Sequence, residues 1–600
     1  MKKPILCLLF ILLVVPLASA KQGHITLLAV KESREGYEGA IADLYLEIKP
    51  GSGRVFLDTF PLTKVDTQIS TRFAKEIACS YLDDGCSKYD FVYTIRADSP
   101  IIAGPSAGSA ITLLTIAMLD GFELDETIGI TGTINSGGII GPVGGIKEKI
   151  DAAKQAGLRK VLIPEGERFV IEDRKVIETI TVTRGDNITI KNASINNKTV
   201  DLVEYGKEKG LDVVEVSDIG RALSEFTGKQ FRDDVYDVTV DEEYEKTMSS
   251  LASQLCNRSY KLIEEVNRAY SGGYNVTMSD ISNLTARAKI AVGNNRYYSA
   301  ASYCFGANVK LTHLLLVLNN ATDKDVKNNI EIIDRNIKKL EKSIDEKEKK
   351  TITDLEAYAV VKERLIEAQD YKKDLPEKNI TKEDLYNLAY AFERVYSAFS
   401  WTNFFDHRGN EYNFDKNTLK SSCNDKIAEA EERYNYALLF YPGLDLSGTR
   451  DEIDNAYDDL NNGYYELCLF KATQAKAESD VILSVSGVGG NMVDGLLNKK
   501  LEVAKKNIAK QTNKGNFPIL AYSYYEYGDE LREADKFSAL LYAEYALELS
   551  NLDMYFEKED KNVIVNIDFI KPTLYIAVGV IIGYLISKIP KKKKRRKKRK

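Results

Sequence analysis

The sequence predicts an α+β domain, then a mostly α-helical domain built from helical hairpins, and finally one C-terminal transmembrane helix. Three observations support this order. Strand-like and helix-like segments alternate over residues 21–230, apolar residues recur three and four apart over 231–560, and an uncharged apolar run at 572–586 predicts a transmembrane helix over 572–589. Six hundred residues are too many for one hydrophobic core, so several domains are expected.

The N-terminus has the pattern of a secretory signal peptide. Lys2 and Lys3 precede an apolar run over 5–15, and small residues follow at 18–20. This order of charge, apolar core and A-x-A site predicts that residues 1–20 are removed during export. An uncleaved N-terminal anchor is the alternative, although the run is short for a membrane span.

The C-terminus has the pattern of a membrane anchor. Residues 572–586 carry no charge, and 591–600 are ten consecutive Lys or Arg residues. By the positive-inside rule, the tail 590–600 is cytoplasmic and residues 21 to about 570 lie outside the cell membrane. The alternative is a nucleic-acid role for the tail, but its position beside the apolar run favours a stop-transfer signal, so no nucleic-acid partner is predicted.

The composition fits an exported, acidic protein. Twelve of the 82 basic residues lie in the first 20 and last ten positions, so residues 21–590 carry 70 basic against 89 acidic residues. Eight N-x-S/T sequons suit a glycosylated surface. Six cysteines remain after export, and sequence alone leaves fifteen disulfide pairings open, of which pairing between chain neighbours is the simplest. Three histidines and no C-x-x-C spacing argue against a metal site, and no cofactor is predicted.

The first domain alternates strands and helices. A polar stretch with three sequons over 167–205 predicts a surface insertion. The predicted segments, in chain order, are strand 40–48, helix 67–82, strand 91–95, helix 106–118, a strand-rich stretch 127–143, helix 147–156, strand 160–163, strand 211–216 and helix 219–226.

The second domain reads as stacked helical hairpins. Ile330, Ile333, Ile337, Leu340 and Ile344 form a 3-4-3-4 seam that fits a helical hairpin or short coiled coil, or one ordinary amphipathic helix. Three similar segments, beginning at 295, 462 and 535, each lead into an alanine-rich helix and resemble the second helix of tetratricopeptide hairpins. Their spacing is irregular, so a regular solenoid is not predicted.

Two glycine-rich motifs carry the chemistry. Ser106 lies in a G-P-S-A-G segment over 104–108, and Lys147 lies in G-G-I-K-E-K over 144–149. A serine hydroxyl needs a base, and a lysine can serve only when burial or positive charge lowers its pKa. Both residues are predicted at helix starts, where partial positive charge favours an oxyanion and a neutral amine. Glu148 and Lys149 are expected to be helix-surface charges.

G-x-S-x-G alone also describes the nucleophile elbow of α/β-hydrolases. That mechanism requires a histidine later in the chain, and only His313 and His407 follow Ser106, both in the helical region. A histidine-dependent esterase therefore remains a third alternative, for which the chain offers few suitable histidines.

The motif set resembles the proteolytic domain of Lon proteases, a Ser-Lys peptidase family. G-P-S-A-G, then T-G-T-I-N from Thr131, G-P-V-G-G-I-K-E-K from 141 and A-A-K-Q-A-G-L-R-K-V-L-I-P from 152 occur in order. The resemblance implies that Ser106 is the nucleophile, that Lys147 is the general base and that Thr131 helps to hold the lysine amine. Ala103 stands where many members have Asp, which puts a carboxylate contribution there in doubt.

The chain contains no G-x-x-x-x-G-K-[ST] segment, the motif of the Lon ATPase. The resemblance therefore fits best the membrane-anchored archaeal Lon-like serine proteases that lack the ATPase. We expect an ATP-independent, membrane-anchored extracytoplasmic serine endopeptidase acting on unfolded or flexible polypeptides. A homo-oligomer is implied by the rings that Lon-like domains commonly form. The alternative is a surface interaction or scaffold protein with a degenerate Lon-like domain.

Overall fold

The computed structural model describes residues 21–33, 36–60, 62–82, 86–97, 104–175, 195–231, 238–269, 275–373, 375–376, 378–440, 444–485, 493–556 and 558. The predicted signal peptide, transmembrane helix and basic tail lie outside these residues, as does Ala103. All described residues up to 556 belong to one compact unit.

A seven-stranded mixed sheet forms the centre of the N-terminal part. The described strands are β1 (Lys21–Ser33), β2 (Gly36–Pro50), β3 (Val55–Phe60), β4 (Tyr89–Ala97), β5 (Ile128–Ile130), β6 (Thr133–Ile134), β7 (Ile140–Gly141), β8 (Lys160–Pro164), β9 (Phe169–Lys175), β10 (Ile195–Asp201) and β11 (Asp212–Val216). The strand order of the large sheet is β11-β8-β5-β1-β2-β4-β3. The long strands β1 and β2 pair antiparallel, whereas β1, β5, β8 and β11 run parallel to one another.

Helices cover both faces of this sheet. They are α1 (Val65–Leu82), α2 (Gly108–Asp120), α3 (Ile146–Gln155), α4 (Leu202–Lys209) and α5 (Ile219–Thr227). Leu27 belongs to the core beneath α1, α2 and α5, whereas its neighbour Leu28 belongs to the core beneath α3 and α4. Adjacent strand residues point to opposite faces, so β1 contributes to both layers.

The predicted segments of this part agree closely with the structure. The helix predicted over 147–156 is α3, and Gly157 follows it with a positive φ of 78°, a conformation that favours glycine. The predicted insertion contains β9 and β10, which pair antiparallel as a separate two-stranded sheet. Most of its remaining residues lie outside the described ranges.

Twelve further helices are described after residue 240, which confirms the mostly helical second part. They are α6 (Glu242–Ala269), α7 (Asn275–Gly293), α8 (Tyr297–Leu318), α9 (Asp323–Asp345), α10 (Ile352–Lys373), α11 (Lys382–Trp401), α12 (Lys416–Phe440), α13 (Ser447–Asn462), α14 (Tyr465–Val485), α15 (Val493–Asn513), α16 (Ile519–Leu531) and α17 (Lys536–Leu549). The three similar segments open α8, α14 and α17, each packed on the helix before it.

Helices α9 and α8 each pack against neighbouring helices of the helical part. Four of the five predicted seam residues of α9 are buried (Ile333, Ile337, Leu340 and Ile344), and α9 packs on α10 and α11. Within the described ranges, α8 is the one helix long and apolar enough to cross a membrane. It packs against α6, α7 and α11 in the helical part, which is the position of a core helix.

The six cysteines in the part of the chain that the structure describes form three disulfides between chain neighbours, the simplest of the open pairings. They are Cys79–Cys86, Cys256–Cys304 and Cys423–Cys468. The second joins α6 to α8 and the third joins α12 to α14, so each fastens two helices of the helical part.

The helical part packs directly on the sheet part along a seam formed by α1 and the turn between β6 and β7. Ile139 shares a hydrophobic cluster with Val503 and Leu547. A Cβ at Gly137 would lie 2.5 Å from the Val503 side chain, and the φ of this residue is 71°, so the turn packs directly on α15 and favours glycine. Ser136 in the same turn hydrogen-bonds to Glu544 of α17.

Candidate active site

Ser106 lies in a tight loop immediately before α2. Its carbonyl oxygen accepts a hydrogen bond from the Gly132 N–H at 3.1 Å, and the Ser109 N–H donates to the Gly132 carbonyl at 3.2 Å. A Cβ on Gly108 would lie 2.9 Å from Ile134, so the start of α2 packs tightly on this segment. These contacts place the half-buried Ser106 beside the residues that follow β5.

The first helix supports the same loop from the other side. Thr67 and Ser70 of α1 donate from their hydroxyls to the carbonyl oxygens of Gly104 and Pro105, at 3.5 and 3.4 Å. Gly104 has a φ of 102°, which a residue with a side chain rarely adopts. The loop conformation that presents Ser106 is therefore fixed by α1, by a glycine and by the β5 segment together.

Thr131 directly follows β5 and is fully buried. Its N–H donates to the carbonyl of Leu162 in β8 at 3.1 Å, which continues the parallel ladder by one residue. The site therefore lies beyond the carboxyl end of β5, with α2 on one face of the sheet and α3 on the other. Ligand sites of open α/β sheets commonly lie at this edge.

The lysine that meets Thr131 is Lys149. Its Nζ donates to the Thr131 Oγ1 at 3.1 Å, and the side chain is only 2 % exposed. Lys147 instead extends over Tyr205, with its Nζ 5.3 Å from the ring centroid, and is half-buried. The expectation that Thr131 holds the amine of Lys147 is thus corrected, and so is the expectation that Lys149 is a surface charge.

The helical phase of α3 explains why Lys149, rather than Lys147, is buried and contacts Thr131. The residues Ile146, Lys149, Ile150 and Ala153 of α3 are buried, and they lie three and four positions apart along one stripe. Lys147 lies off that stripe, on the side of Tyr205. The two apolar isoleucines flank Lys149 at i−3 and i+1, so the 3.6-residue period could have singled out this lysine from the sequence alone.

Burial lowers the pKa of the Lys149 amine. Removal from water lowers the pKa of Lys149 from 10.5 to about 8, a shift that the nearby Glu148 carboxylate partly opposes. At pH 7 roughly one tenth of such an amine is uncharged, against less than a thousandth of an ordinary lysine. An uncharged amine has the lone pair that a base needs, so this group is suited to accept a proton.

The carboxylates that could share a metal ion lie in the helical part, apart from Ser106. In the part of the chain that the structure describes, Asp480, Glu544 and Glu548 form one carboxylate group compact enough for a shared ion. Each of the three already pairs with a cation, namely Arg433, Lys500 and Lys476 respectively. The cluster is therefore a buried ion-pair network of the helical part and does not belong to the site around Ser106.

A serine before a helix and a buried lysine of lowered pKa that donates to a nearby threonine are the groups that a Ser-Lys hydrolase requires. Comparison with known families agrees. The family described as Lon protease (S16) C-terminal proteolytic domain matches residues 98–193. This stretch contains Ser106, Thr131 and Lys149, and the chain carries a Lon-type protease domain, which is a serine peptidase domain.

Three curated relatives show the extent of the likeness. Lon protease of Methanosphaera stadtmanae is 31% identical over 163 residues, covering 27% of this chain and 18% of the relative. Lon protease 2 of Bacillus subtilis is 37% identical over 97 residues, covering 16% and 17%. The archaeal Lon protease of Archaeoglobus fulgidus is 34% identical over 112 residues, covering 18% and 16%. The chain thus spans less than a fifth of each relative's length.

Proposed function

We propose that this protein is a serine endopeptidase in which Ser106 is the nucleophile and Lys149, rather than Lys147, is the general base. The observation that carries the proposal is the hydrogen bond from the buried Lys149 amine to Thr131, beside the loop that bears Ser106. The match of residues 98–193 to a Lon proteolytic domain supports the reaction class.

The chemistry follows from these positions. The uncharged Lys149 amine takes the proton from the Ser106 hydroxyl as its oxygen attacks the carbonyl carbon of the peptide bond. The tetrahedral oxyanion forms near the N-terminal end of α2, where the helix dipole is positive. Collapse breaks the C–N bond, and the lysine returns its proton to the leaving amine. Water, deprotonated by the same amine, then hydrolyses the acyl-enzyme.

Thr131 positions the base in this scheme. Its hydroxyl accepts a hydrogen bond from Lys149 Nζ, which fixes the amine at the carboxyl end of β5. A flexible lysine side chain has several rotatable bonds, so this restraint reduces the entropy cost of bringing the amine to Ser106.

We also propose that the peptidase works without ATP and outside the cell membrane, on unfolded or flexible polypeptides. The absence of a G-x-x-x-x-G-K-[ST] segment supports the first part, and the apolar run 572–586 with the basic tail supports the second. Without a motor that unfolds substrates, only chains that are already extended can enter the site.

The test is hydrolysis of a permanently unfolded, fluorescently quenched protein by the full chain, with and without ATP. We expect turnover that ATP does not change, and no turnover by a Ser106→Ala variant that keeps the helical circular dichroism. Turnover that requires ATP would contradict the second proposal alone, whereas equal turnover by Ser106→Ala would contradict the assignment of the nucleophile.

Location has an independent test in intact cells. A protease added outside should digest the chain while a tag fused after residue 600 stays protected, because the tail is proposed to be cytoplasmic. Digestion of the tag, or protection of the whole chain, would contradict the proposed orientation.

A further inference from the structure

A cavity of about 300 Å³ lies in the helical part, where the starts of α6 and α8 meet α16. One wall is a stripe of α16 whose residues are spaced three and four positions apart: Tyr522, Tyr525, Glu526 and Asp529. The volume is at the lower limit for small-ligand sites, so the cavity suits one long side chain. None of the residues proposed above for catalysis lines it.

Tyrosines from three helices line this cavity, which we call the tyrosine cavity. They are Tyr244 of α6, Tyr297 of α8, and Tyr522 and Tyr525 of α16. The Tyr244 and Tyr522 rings meet edge to face with centroids 5.2 Å apart, and the Tyr525 centroid lies 6.3 Å from that of Tyr522. Because the face of an aromatic ring is partly negative, such a wall favours an organic cation.

The charged residues of the lining favour the same kind of ligand. Among the residues that the structure describes, three carboxylates and one cation line the tyrosine cavity, namely Glu245, Glu526, Asp529 and Arg296. Arg296 already pairs with Asp529 and with the neighbouring Glu530. Within the described ranges, Glu245 and Glu526 form no ion pair, so the lining carries an excess of negative charge.

Glu526 is buried without a counter-charge of its own. Only 6% of the residue is exposed, and its Oε1 accepts hydrogen bonds from the Ser299 N–H at 2.8 Å and the Ser299 hydroxyl at 3.0 Å. Burial raises the pKa of Glu526 to about 7, which these hydrogen bonds and Arg296 oppose only in part. Burial, and then the charges of Glu526 and Glu245, raise the pKa of the Tyr522 hydroxyl, so both carboxylates act on the same part of the cavity.

These features together define the chemistry of the ligand. A cation beside Glu526 would neutralise a buried carboxylate, and an alkyl chain would cover the tyrosine rings. A bare metal ion prefers several oxygen ligands and would leave the aromatic wall without a partner. An ammonium group at the end of an alkyl chain satisfies both the carboxylates and the rings.

We propose that the tyrosine cavity binds a primary alkylammonium group, with Glu526 and Glu245 as counter-charges and the tyrosine rings around the alkyl chain. Two sources have this chemistry, the lysine side chain of a polypeptide and a small free amine. The binding does not require the peptidase reaction, because it depends only on residues of the helical part.

The tyrosine cavity is connected to the seam through Tyr525. This side chain also packs against the hydrophobic cluster of Ile139, Val503 and Leu547, where the helical part meets the sheet part. A polypeptide held through one lysine would stay on the enzyme while its extended parts enter the active site. This use of the cavity, unlike the binding itself, rests on the proposed function.

The test is a ligand-observed NMR titration of the full chain carrying Ser106→Ala, which prevents turnover, at pH 8, where Glu526 is mostly ionised. The probes are acetyl-Ala-Lys-Ala-amide, the same peptide with norleucine in place of lysine, and n-butylammonium chloride. We expect saturable binding of an ammonium probe. The norleucine peptide, which keeps the alkyl chain without the charge, should bind at least about tenfold more weakly than the lysine peptide or butylammonium.

The two ammonium probes distinguish the sources. Tighter binding of the lysine peptide identifies a polypeptide ligand, because its backbone adds contacts that butylammonium lacks. Tighter binding of butylammonium identifies a small free amine, because the peptide backbone then obstructs entry.

The double variant Glu245→Gln/Glu526→Gln should raise the Kd of the tighter ammonium probe by about tenfold or more. The matched control, Glu242→Gln/Glu264→Gln, removes the same charge from exposed positions of α6 that do not line the cavity. It should leave the Kd within about twofold, which separates local contacts from a general field. If the double variant loses its helical circular dichroism, Glu245→Gln alone replaces it, since this residue is exposed.

Four results would overturn the proposal: no saturable binding of either ammonium probe, equal affinity for the lysine and norleucine peptides together with no binding of butylammonium, an unchanged Kd in the folded cavity variant, or an equal loss of affinity in the control. The proposed function fails independently, through turnover by the Ser106→Ala chain, so the two failures are distinguishable.

Discussion

The buried amine of Lys149 makes a quantitative prediction about stability. Its pKa falls from 10.5 to about 8 in the folded protein, whereas the unfolded chain keeps the ordinary value. Between these two pH values the unfolded state binds one proton more than the folded state. The free energy of unfolding therefore increases with pH across this window.

The lowered pKa corresponds to a change of about 3 kcal/mol in the free energy of unfolding, at about 1.4 kcal/mol for each pH unit. Most of this stability is gained by pH 10. Lys149→Met removes the titrating group and keeps a side chain of similar length. At pH 7 the variant avoids the free-energy cost of burying an ammonium group. It also loses the hydrogen bond to Thr131, which reduces this gain in stability by about 1 kcal/mol. We expect Lys149→Met to be more stable than the natural chain at pH 7 by about 2 kcal/mol.

Urea unfolding at pH 7 and pH 10, followed by circular dichroism, measures this difference. The advantage of Lys149→Met at pH 7 should be lost by pH 10, because the natural chain then has an uncharged amine at the same place. Lys147→Met, which removes the half-buried lysine two positions earlier in α3, is the matched control. A pH-independent difference for Lys149→Met would refute the lowered pKa.

Three further predictions concern other contacts. Thr131→Val should lower kcat/KM by about tenfold, about 1.4 kcal/mol, in steady-state hydrolysis, because the lysine amine loses its hydroxyl partner. Lys500→Met should lower the free energy of unfolding by about 3–5 kcal/mol in urea titrations, since it leaves the fully buried Glu544 without its cation, whereas adding Glu544→Leu should restore most of the loss. Replacing Cys256 and Cys304 by serine should lower the free energy of unfolding by about 4 kcal/mol under non-reducing conditions, because the bridge closes a sequence separation of 48 residues.

Much of the site was predictable because it is local in sequence. The G-P-S-A-G loop, the T-G-T segment and α3 lie within 46 residues, from 104 to 149, and their motifs fixed the order of the elements. The motif contains two lysines two positions apart, and the contact with Thr131 that was expected of Lys147 is made by Lys149. Only the helix phase, set by Ile146 and Ile150, decides which one faces the sheet.

The arrangement of the rest depends on contacts between distant residues. Sheet order and the pairing of β1 with β5 join segments about a hundred positions apart, and local patterns contain no information on such partners. The contacts between the sheet part and the helical part are still harder to predict from the sequence. Lys500, Glu544 and Lys476 look like solvated helix charges in the sequence, yet all three are buried in ion pairs where the two parts meet.

The most direct test of the central claim is the rate at which a fluorophosphonate labels Ser106 at different pH values. The natural chain should show a sigmoid rise with an apparent pKa near 8, as Lys149 loses its proton. Lys147→Gln should keep this profile, and Lys149→Gln should abolish labelling while remaining folded. Retained labelling in Lys149→Gln, together with its loss in Lys147→Gln, would contradict the account and return the role of base to Lys147.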